Sequence, residues 1–278
     1  MKLEQINPSL SNIDFALLVL STIFIAAAGY AINDYFDIRI DRINKPKKII
    51  VGKYISRRHA ILVHTIFNIT AVVIGIYVSY KVGSIKLAAF NIVMCLLLWF
   101  YSVKYKAYFL IGNIIVSISS AMTIFVVWLF EIYAIKSSEQ ILMNGKLLNF
   151  FLFSYVIFAF IVTFIREMVK DVEDIEGDKK YRCNTLPIVL GVCKTKYILL
   201  ILVALSIIVL SYFSFLSYFN QLKLVFWYIN ITLIVSLIYA AYIIYISKNK
   251  DDFSFISGLL KVIMFFGIFS MTLIFNWF

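Results

Sequence analysis

The stretch "ALLVLSTIFIAAAGYAINDYFDIRID", Ala16–Asp41, decides how the chain must be read. It opens with an uncharged apolar run and then places Asp34, Asp37 and Asp41 at the mouth of what reads as a membrane helix, where charge is expensive. Asn33, Asp37 and Asp41 recur at i, i+4 and i+8, which is one face of a helix, and Asp34 flanks that stripe. Like charges at this spacing repel. Arg39 and Arg42 project at other angles, so a hard divalent cation is the better counter-charge. Mg²⁺ takes carboxylate and amide oxygens and keeps a substrate phosphate in its shell.

Working outward, 63% of the 278 residues are hydrophobic and only 15% are charged, far from the roughly 25% charge of a soluble domain. Eight stretches are long and apolar enough to span a membrane. They fall near residues 14–33, 59–80, 85–103, 109–133, 149–166, 195–219, 223–247 and 255–277. The chain reads as an all-α, polytopic membrane helical bundle with no room for a sizeable soluble domain. The first run is too long for a cleaved signal peptide and leads straight into the acidic motif. Cys95, Cys183 and Cys193 lack paired spacing, so neither a zinc site nor a disulfide framework is expected. His64 reads as a satisfied polar residue within a helix.

The net charge of +11 does not point to nucleic acid. Lys and Arg crowd the connections after the first, third, fifth and seventh spans, which by the positive-inside rule puts those loops in the cytoplasm and both termini outside.

The second acidic stretch is "REMVKDVEDIEGDKK", Arg166–Lys180. Asp171, Asp174 and Asp178 lie at i, i+3 and i+7, Glu173 and Glu176 point elsewhere, and Gly177 loosens the helix end. Arg166 and Lys170 sit one turn apart on the flank leading into Asp174, placed to hold a phosphate. A solvated helix end with mixed charge would explain either stretch alone. Four spans separate the two, so both emerge on the same face. Paired carboxylate sets with metals between them suit a diphosphate whose departure is to be promoted. A transporter also carries intramembrane acids, but here they cluster at one face and no inverted repeat is evident.

These residues resemble the UbiA superfamily of intramembrane prenyltransferases. Its first signature, NDxxDxxxD, reads here as Asn33-Asp34-Tyr-Phe-Asp37-Ile-Arg-Ile-Asp41, followed by "RINKP" and "GKYISRRHA". "YSVKYKAYFLIGN", Tyr101–Asn113, is similar to the family's YSxxLKRxPLLGN segment, with Lys106 in the lysine place, Ala107 where a basic residue is common and Phe109 where proline is common. The second signature appears as "KDVEDIEGD" followed by "NTLPIVLG". The likeness covers most of residues 20–195, and the last three spans match in hydropathy only.

The resemblance implies a nine-helix bundle around a central cavity. It also implies Mg²⁺-dependent transfer of an isoprenyl group from a polyprenyl diphosphate to a small or lipid acceptor in the membrane. Asn33, Asp37 and Asp41 would serve one metal and Asp171, Asp174 and Asp178 the other, with Asp34 a further metal or structural residue. Lys106, Arg166 and Lys170, and with them Arg42 and Lys45, would contact the diphosphate. Asp37, Asp171 and Lys106 would carry catalysis.

The second signature is most similar to the geranylgeranylglyceryl-phosphate branch. The runner-up acceptor is aromatic, as in quinone biosynthesis. A CDP-alcohol phosphotransferase is disfavoured by the absence of its DGxxAR core. The family motif normally follows the second helix and here follows the first. The chain is therefore expected to be one transmembrane domain, residues 1–278, lacking that first helix, embedded in the cell inner membrane. Asn113, Ser117 and Ser120 share one face of the fourth span and either line the cavity or pack helices.

Overall fold

The computed structural model describes residues 10–134 and 140–275, and for 140–148 and 274–275 the backbone alone. Among the described residues, eight helices are long and apolar enough to cross a membrane. The expected spans are present, and two of them run on further than the apolar runs that predict them.

Helix α1 (Asn12–Asn44) opens on a Ser11 cap, whose hydroxyl oxygen accepts from the Asp14 amide at 3.1 Å. It passes unbroken through the acidic motif, because no glycine or proline interrupts the chain between Gly29 and Pro46. The residue before a proline disfavours helix, so α1 ends at Asn44. Helix α2 (Arg57–Lys81) starts on a Ser56 cap, α3 (Ala88–Val103) follows a 3₁₀ turn at Ile85–Leu87, and α4 is Ile111–Ala134.

Helix α5 (Gln140–Glu173) carries the second motif to its end. Asp174 (φ −97°, ψ 8°) breaks it, and the short α6 (Ile175–Lys180) follows. The second acidic set is thus split over two helices, where the sequence alone suggests one. After α7 (Leu186–Leu190) come α8 (Val192–Phe219), α9 (Lys223–Tyr228), a π turn at Ile229–Ile234, α10 (Val235–Ile246) and α11 (Lys250–Phe275).

The bundle has two halves. Helix α1 packs on α2 and α3, and α3 on α4; α5 packs on α8 and α11, and α10 closes the second group. The seam between α4 and α5 joins the halves on one side, whereas no comparable seam joins α1 to α11. The second half has a large apolar core that includes Val162, Ile165, Met168, Leu199, Val203, Leu237, Leu260 and Ile263. The first half has smaller apolar clusters and adds polar contacts between its helices. The Ser21 hydroxyl donates to Ala71 O at 2.9 Å, the Asn91 amide donates to Ser21 Oγ at 2.5 Å, and His64 Nδ1 lies 3.0 Å from Ala28 O. In lipid, where apolar surface gains little by leaving one apolar phase for another, such contacts supply helix specificity. The satisfied-histidine reading of His64 agrees with this geometry.

At the motif end Asn44 ties three elements together. Its Oδ1 accepts from the Gly177 amide at 2.8 Å, and its carbonyl accepts from Lys250 Nζ at 2.7 Å. A Cβ on Gly177 would stand 2.5 Å from Asn44 Nδ2. Gly177 is therefore needed for a close approach that seats α6 on α1, a role beyond loosening a helix end. Gly177→Ala is expected to destabilise the purified protein by about 1–3 kcal/mol, the usual range for overpacking, read as a lowered unfolding temperature. An unchanged midpoint would remove this packing role.

Candidate active site

The C-terminal ends of α1, α3 and α5 meet at one end of the bundle. The loop after α3 is fixed there by a hydrogen bond from the Asn184 amide to Ala107 O at 2.8 Å. Within that loop Lys106 sits on a 3₁₀ turn, Tyr105–Ala107. A Cβ on Gly112 would come within 2.8 Å of Lys106 Cα, so glycine lets the start of α4 pass beneath the lysine.

Two cavities share a wall at this end. The polar one, about 310 Å³, is lined by Asn33, Asp34, Asp37 and Asp41 from α1 and by Asp171, Asp174 and Asp178 from α5 and α6. Both acidic motifs thus face one space. Glu167 also lines it, as do Lys45, Lys48, Lys106 and Lys170, so seven carboxylates stand against four lysines. The apolar cavity, about 330 Å³, lies deeper, among Ile25, Ala26, Phe90, Met94, Leu98 and Met122. Tyr30, Asn33, Tyr101, Glu167 and Lys170 line both.

The site residues expected from sequence separate into three groups. All seven expected metal ligands line the polar cavity, with Lys45, Lys106 and Lys170. Arg166 lines the apolar cavity beside the shared wall. Arg42 is exposed and lines neither, because it follows Asp41 by one residue and so points about 100° away around α1.

One ion pair already links the two acidic stretches, and a second ties the loop after α3 to the first of them. Lys45 Nζ contacts Asp174 Oδ2 at 2.5 Å, and Lys106 pairs with Asp37. Asp171 accepts from Asn113 Nδ2 at 2.8 Å, which puts Asn113 at the site rather than in helix packing alone. Ser117 donates to its own helix at Asn113 O, whereas Ser120 lines the apolar cavity and accepts from Thr163. Burial pulls the Lys106 ammonium down to about 8. Burial, reinforced by the neighbouring Asp174 charge, pushes the Asp178 carboxyl up to about 6.

Sequence reasoning missed Glu167. It is 6% exposed, accepts from Arg166 Nη1 at 2.8 Å and from Lys170 Nζ at 3.0 Å, and holds both cations at the shared wall. A signal was present: Glu167, Asp171, Asp174 and Asp178 fall at i, i+4, i+7 and i+11. Tyr30 likewise lies one turn before Asn33 on the same side of α1.

The residues fit hard cations held jointly with a ligand. Asn33 Oδ1 and Asp174 Oδ1 are buried oxygens without a hydrogen-bond partner among the described residues, and the cavity is rich in carboxylate. Yet among the described residues no three His, Cys, Asp or Glu side chains converge closely enough to cage an ion. The two sets are open half-sites, which suits an ion that keeps water and substrate phosphate as ligands.

Comparison with known proteins agrees with this architecture. The model of the UbiA prenyltransferase family matches residues 6–269. A digeranylgeranylglyceryl phosphate synthase of Methanosphaera stadtmanae is 29% identical over 265 residues, covering 94% of this chain and 88% of that protein. A solved structure concerned with digeranylgeranylglyceryl phosphate synthase in membranes superposes with a TM-score of 0.60 at 29% identity, covering 94% of this chain and 85% of the other. A UbiA homologue from Archaeoglobus fulgidus bound to DMAPP and Mg²⁺ shares the fold, with a TM-score of 0.57, 19% identity and coverage of 96% and 90%. The chain is an integral membrane protein and belongs to the UbiA prenyltransferase family.

Proposed function

We propose that the protein transfers an isoprenyl group from a prenyl diphosphate, such as geranylgeranyl diphosphate, to the hydroxyl of a prenylated glyceryl phosphate within the membrane, with Mg²⁺. The observation that carries the reading is the pair of acidic motifs facing one another across a single polar cavity that adjoins an apolar one. The naming of the Methanosphaera stadtmanae relative supports the acceptor, and the Archaeoglobus fulgidus structure supports the donor and the ion.

Mg²⁺ bound between the motifs would neutralise the charge that develops on the departing diphosphate. Asn33, Asp37 and Asp41 would hold it on one wall and Asp171, Asp174 and Asp178 on the other, with Asp34 beside them. The rest of the work falls to the protein. Lys45, Lys106 and Lys170 line the cavity and would orient the diphosphate oxygens. The apolar cavity takes the prenyl chain and excludes water from its C1 carbon. The C1–O bond breaks, its electron pair leaves with the diphosphate, and the acceptor oxygen bonds to C1. The hydroxyl proton passes to a carboxylate of the wall. The rings of Tyr30, Phe90 and Tyr101 line the path where an allylic cation would pass. The motif end faces the cytoplasm in this reading, since Lys and Arg crowd its loops, and the membrane is the cell inner membrane.

The test is incubation of the purified protein with labelled geranylgeranyl diphosphate and a panel of acceptors, followed by lipid extraction. The expected result is pyrophosphate release and labelled ether lipid that require both Mg²⁺ and the glyceryl phosphate acceptor. Labelling of 4-hydroxybenzoate or a naphthoate instead would overturn the acceptor.

A further inference from the structure

The apolar cavity has a closed far end. Asn33 and Tyr101 stand in the wall that it shares with the polar cavity. Thr22 precedes Asn33 by eleven residues on α1, and Asn91 precedes Tyr101 by ten on α3. At about 1.5 Å per residue the two helices agree on a depth of roughly 15–16 Å. Thr22 and Asn91 both line the cavity, as does Thr123 on α4. One turn farther along the chain path on each wall stands a buried aliphatic residue: Leu18 on α1, Leu87 in the 3₁₀ turn before α3, and Val126 on α4. None of these three lines the cavity, and all belong to one apolar cluster. Leu18 and Val126 are 1% and 2% exposed, so the cluster leaves no gap beneath the cavity for a chain to enter.

This end is also braced. The Asn91 amide donates to Ser21 Oγ at 2.5 Å, and the Ser21 hydroxyl donates to Ala71 O at 2.9 Å. A Cβ on Gly75 would stand 2.5 Å from Asn91 Nδ2, so α2 lies hard against Asn91 from behind. Helices α1, α2 and α3 are thereby tied to one another at the level of the far end, and the end resists deepening by a slide of one helix.

The depth sets a length. Three backbone bonds of an extended chain span about 3.3–3.6 Å, so on the same scale the four bonds of one isoprene unit span roughly 4.5 Å. Four units reach roughly 18 Å from the shared wall and fill the cavity with a slight bend. A fifth would overrun its end by more than a helical turn of about 5.4 Å, into Leu18, Leu87 and Val126.

We infer that Leu18, Leu87 and Val126 are the floor of a length gauge that admits a donor of about four isoprene units and rejects one of five. The inference rests on the prenyl-transfer reading above and fixes the donor within it.

The test uses the full chain in lipid nanodiscs with geranyl, farnesyl, geranylgeranyl and farnesylgeranyl diphosphates, and with whichever acceptor the unaltered protein prenylates. The readout is the ratio of kcat/KM between donors, from which any loss of folded protein cancels. The unaltered protein is expected to prefer geranylgeranyl over farnesylgeranyl diphosphate by about tenfold or more, the scale on which an apolar pocket rejects a chain too long for it. Leu18→Ala with Val126→Ala removes five carbons from the floor, the carbon count of one isoprene unit, and is expected to bring that ratio to within about threefold of unity. Thr22→Phe fills the far end and is expected to shift the preference from geranylgeranyl to farnesyl diphosphate. Equal use of the two longest donors by the unaltered protein would overturn the inference, because the chain would then leave the cavity sideways into the bilayer. So would ratios that neither variant moves. Failure of the reading beneath shows separately: none of the four diphosphates would release pyrophosphate with any acceptor, and the gauge would fall with it.

Discussion

Asp171→Ala is expected to abolish prenyl transfer, with a loss of at least about 10³-fold in kcat, corresponding to roughly 4 kcal/mol of transition-state stabilisation at about 1.4 kcal/mol per tenfold. Asp171 sits on the wall where α5 meets the polar cavity, and Asn113 orients it through a 2.8 Å hydrogen bond. Its removal leaves the Asn113 amide without its acceptor and would take an oxygen ligand from the proposed second half-site. Asp37→Ala does the same on the opposite wall and also frees Lys106 from its ion pair. If each open half-site holds an ion only with help from substrate, as proposed, loss of one carboxylate would not be covered by the others. The check is Mg²⁺-dependent pyrophosphate release at saturating donor, with membrane insertion and the elution profile as controls for folding. Near-normal turnover in both variants would refute the metal roles.

Glu167→Gln is expected to lower kcat/KM about 10²-fold, chiefly through a raised KM for the prenyl diphosphate. Glu167 is the buried anion between Arg166 and Lys170. Breaking a buried pair by neutralising one partner leaves uncompensated charge, an effect of about 3–5 kcal/mol where burial is complete. The two cations would then turn toward Asp171 and Asp174 and occupy the proposed ligands of the second half-site. Steady-state kinetics against donor concentration read the shift. A fall in diphosphate KM would show instead that Glu167 competes with the donor for those cations, and would reverse the role assigned to it.

Much of this architecture is legible in the sequence. Apolar runs of about 20 residues announce membrane helices because lipid leaves the backbone no other way to satisfy its hydrogen bonds. The acidic spacings place both motifs on helix faces, and the alternation of basic loops places them at one end. What the runs did not reveal is where α1 and α5 stop. Hydropathy ends near residues 33 and 166, whereas the helices continue to Asn44 and Glu173. Helix length here follows from the absence of breakers, and hydropathy does not register that.

The tertiary pairs were hidden for another reason. Lys45 with Asp174, Lys106 with Asp37, and Asn44 with Gly177 all join residues far apart in the chain, and no local period encodes them. Glu167 was legible as the first member of its stripe, but it stands one turn before the Asp171, Asp174 and Asp178 spacing that marks the motif. Arg42 shows the opposite error: its charge and position in the motif suggested the diphosphate, and one residue of helical rotation turns it away.

The unlike cores of the two halves carry a further meaning. Around α8, α10 and α11, shape and bulk hold the helices, so one branched aliphatic residue exchanges for another with modest loss. Among α1, α2 and α3, Ser21, Asn91 and His64 each answer to a particular carbonyl or hydroxyl. An apolar replacement there leaves a partner orphaned in lipid. Register in the first half is thus written as a few addresses, while the second half backs its own few, Asn230 on Ser214 and Tyr155 on Ser270, with many interchangeable letters.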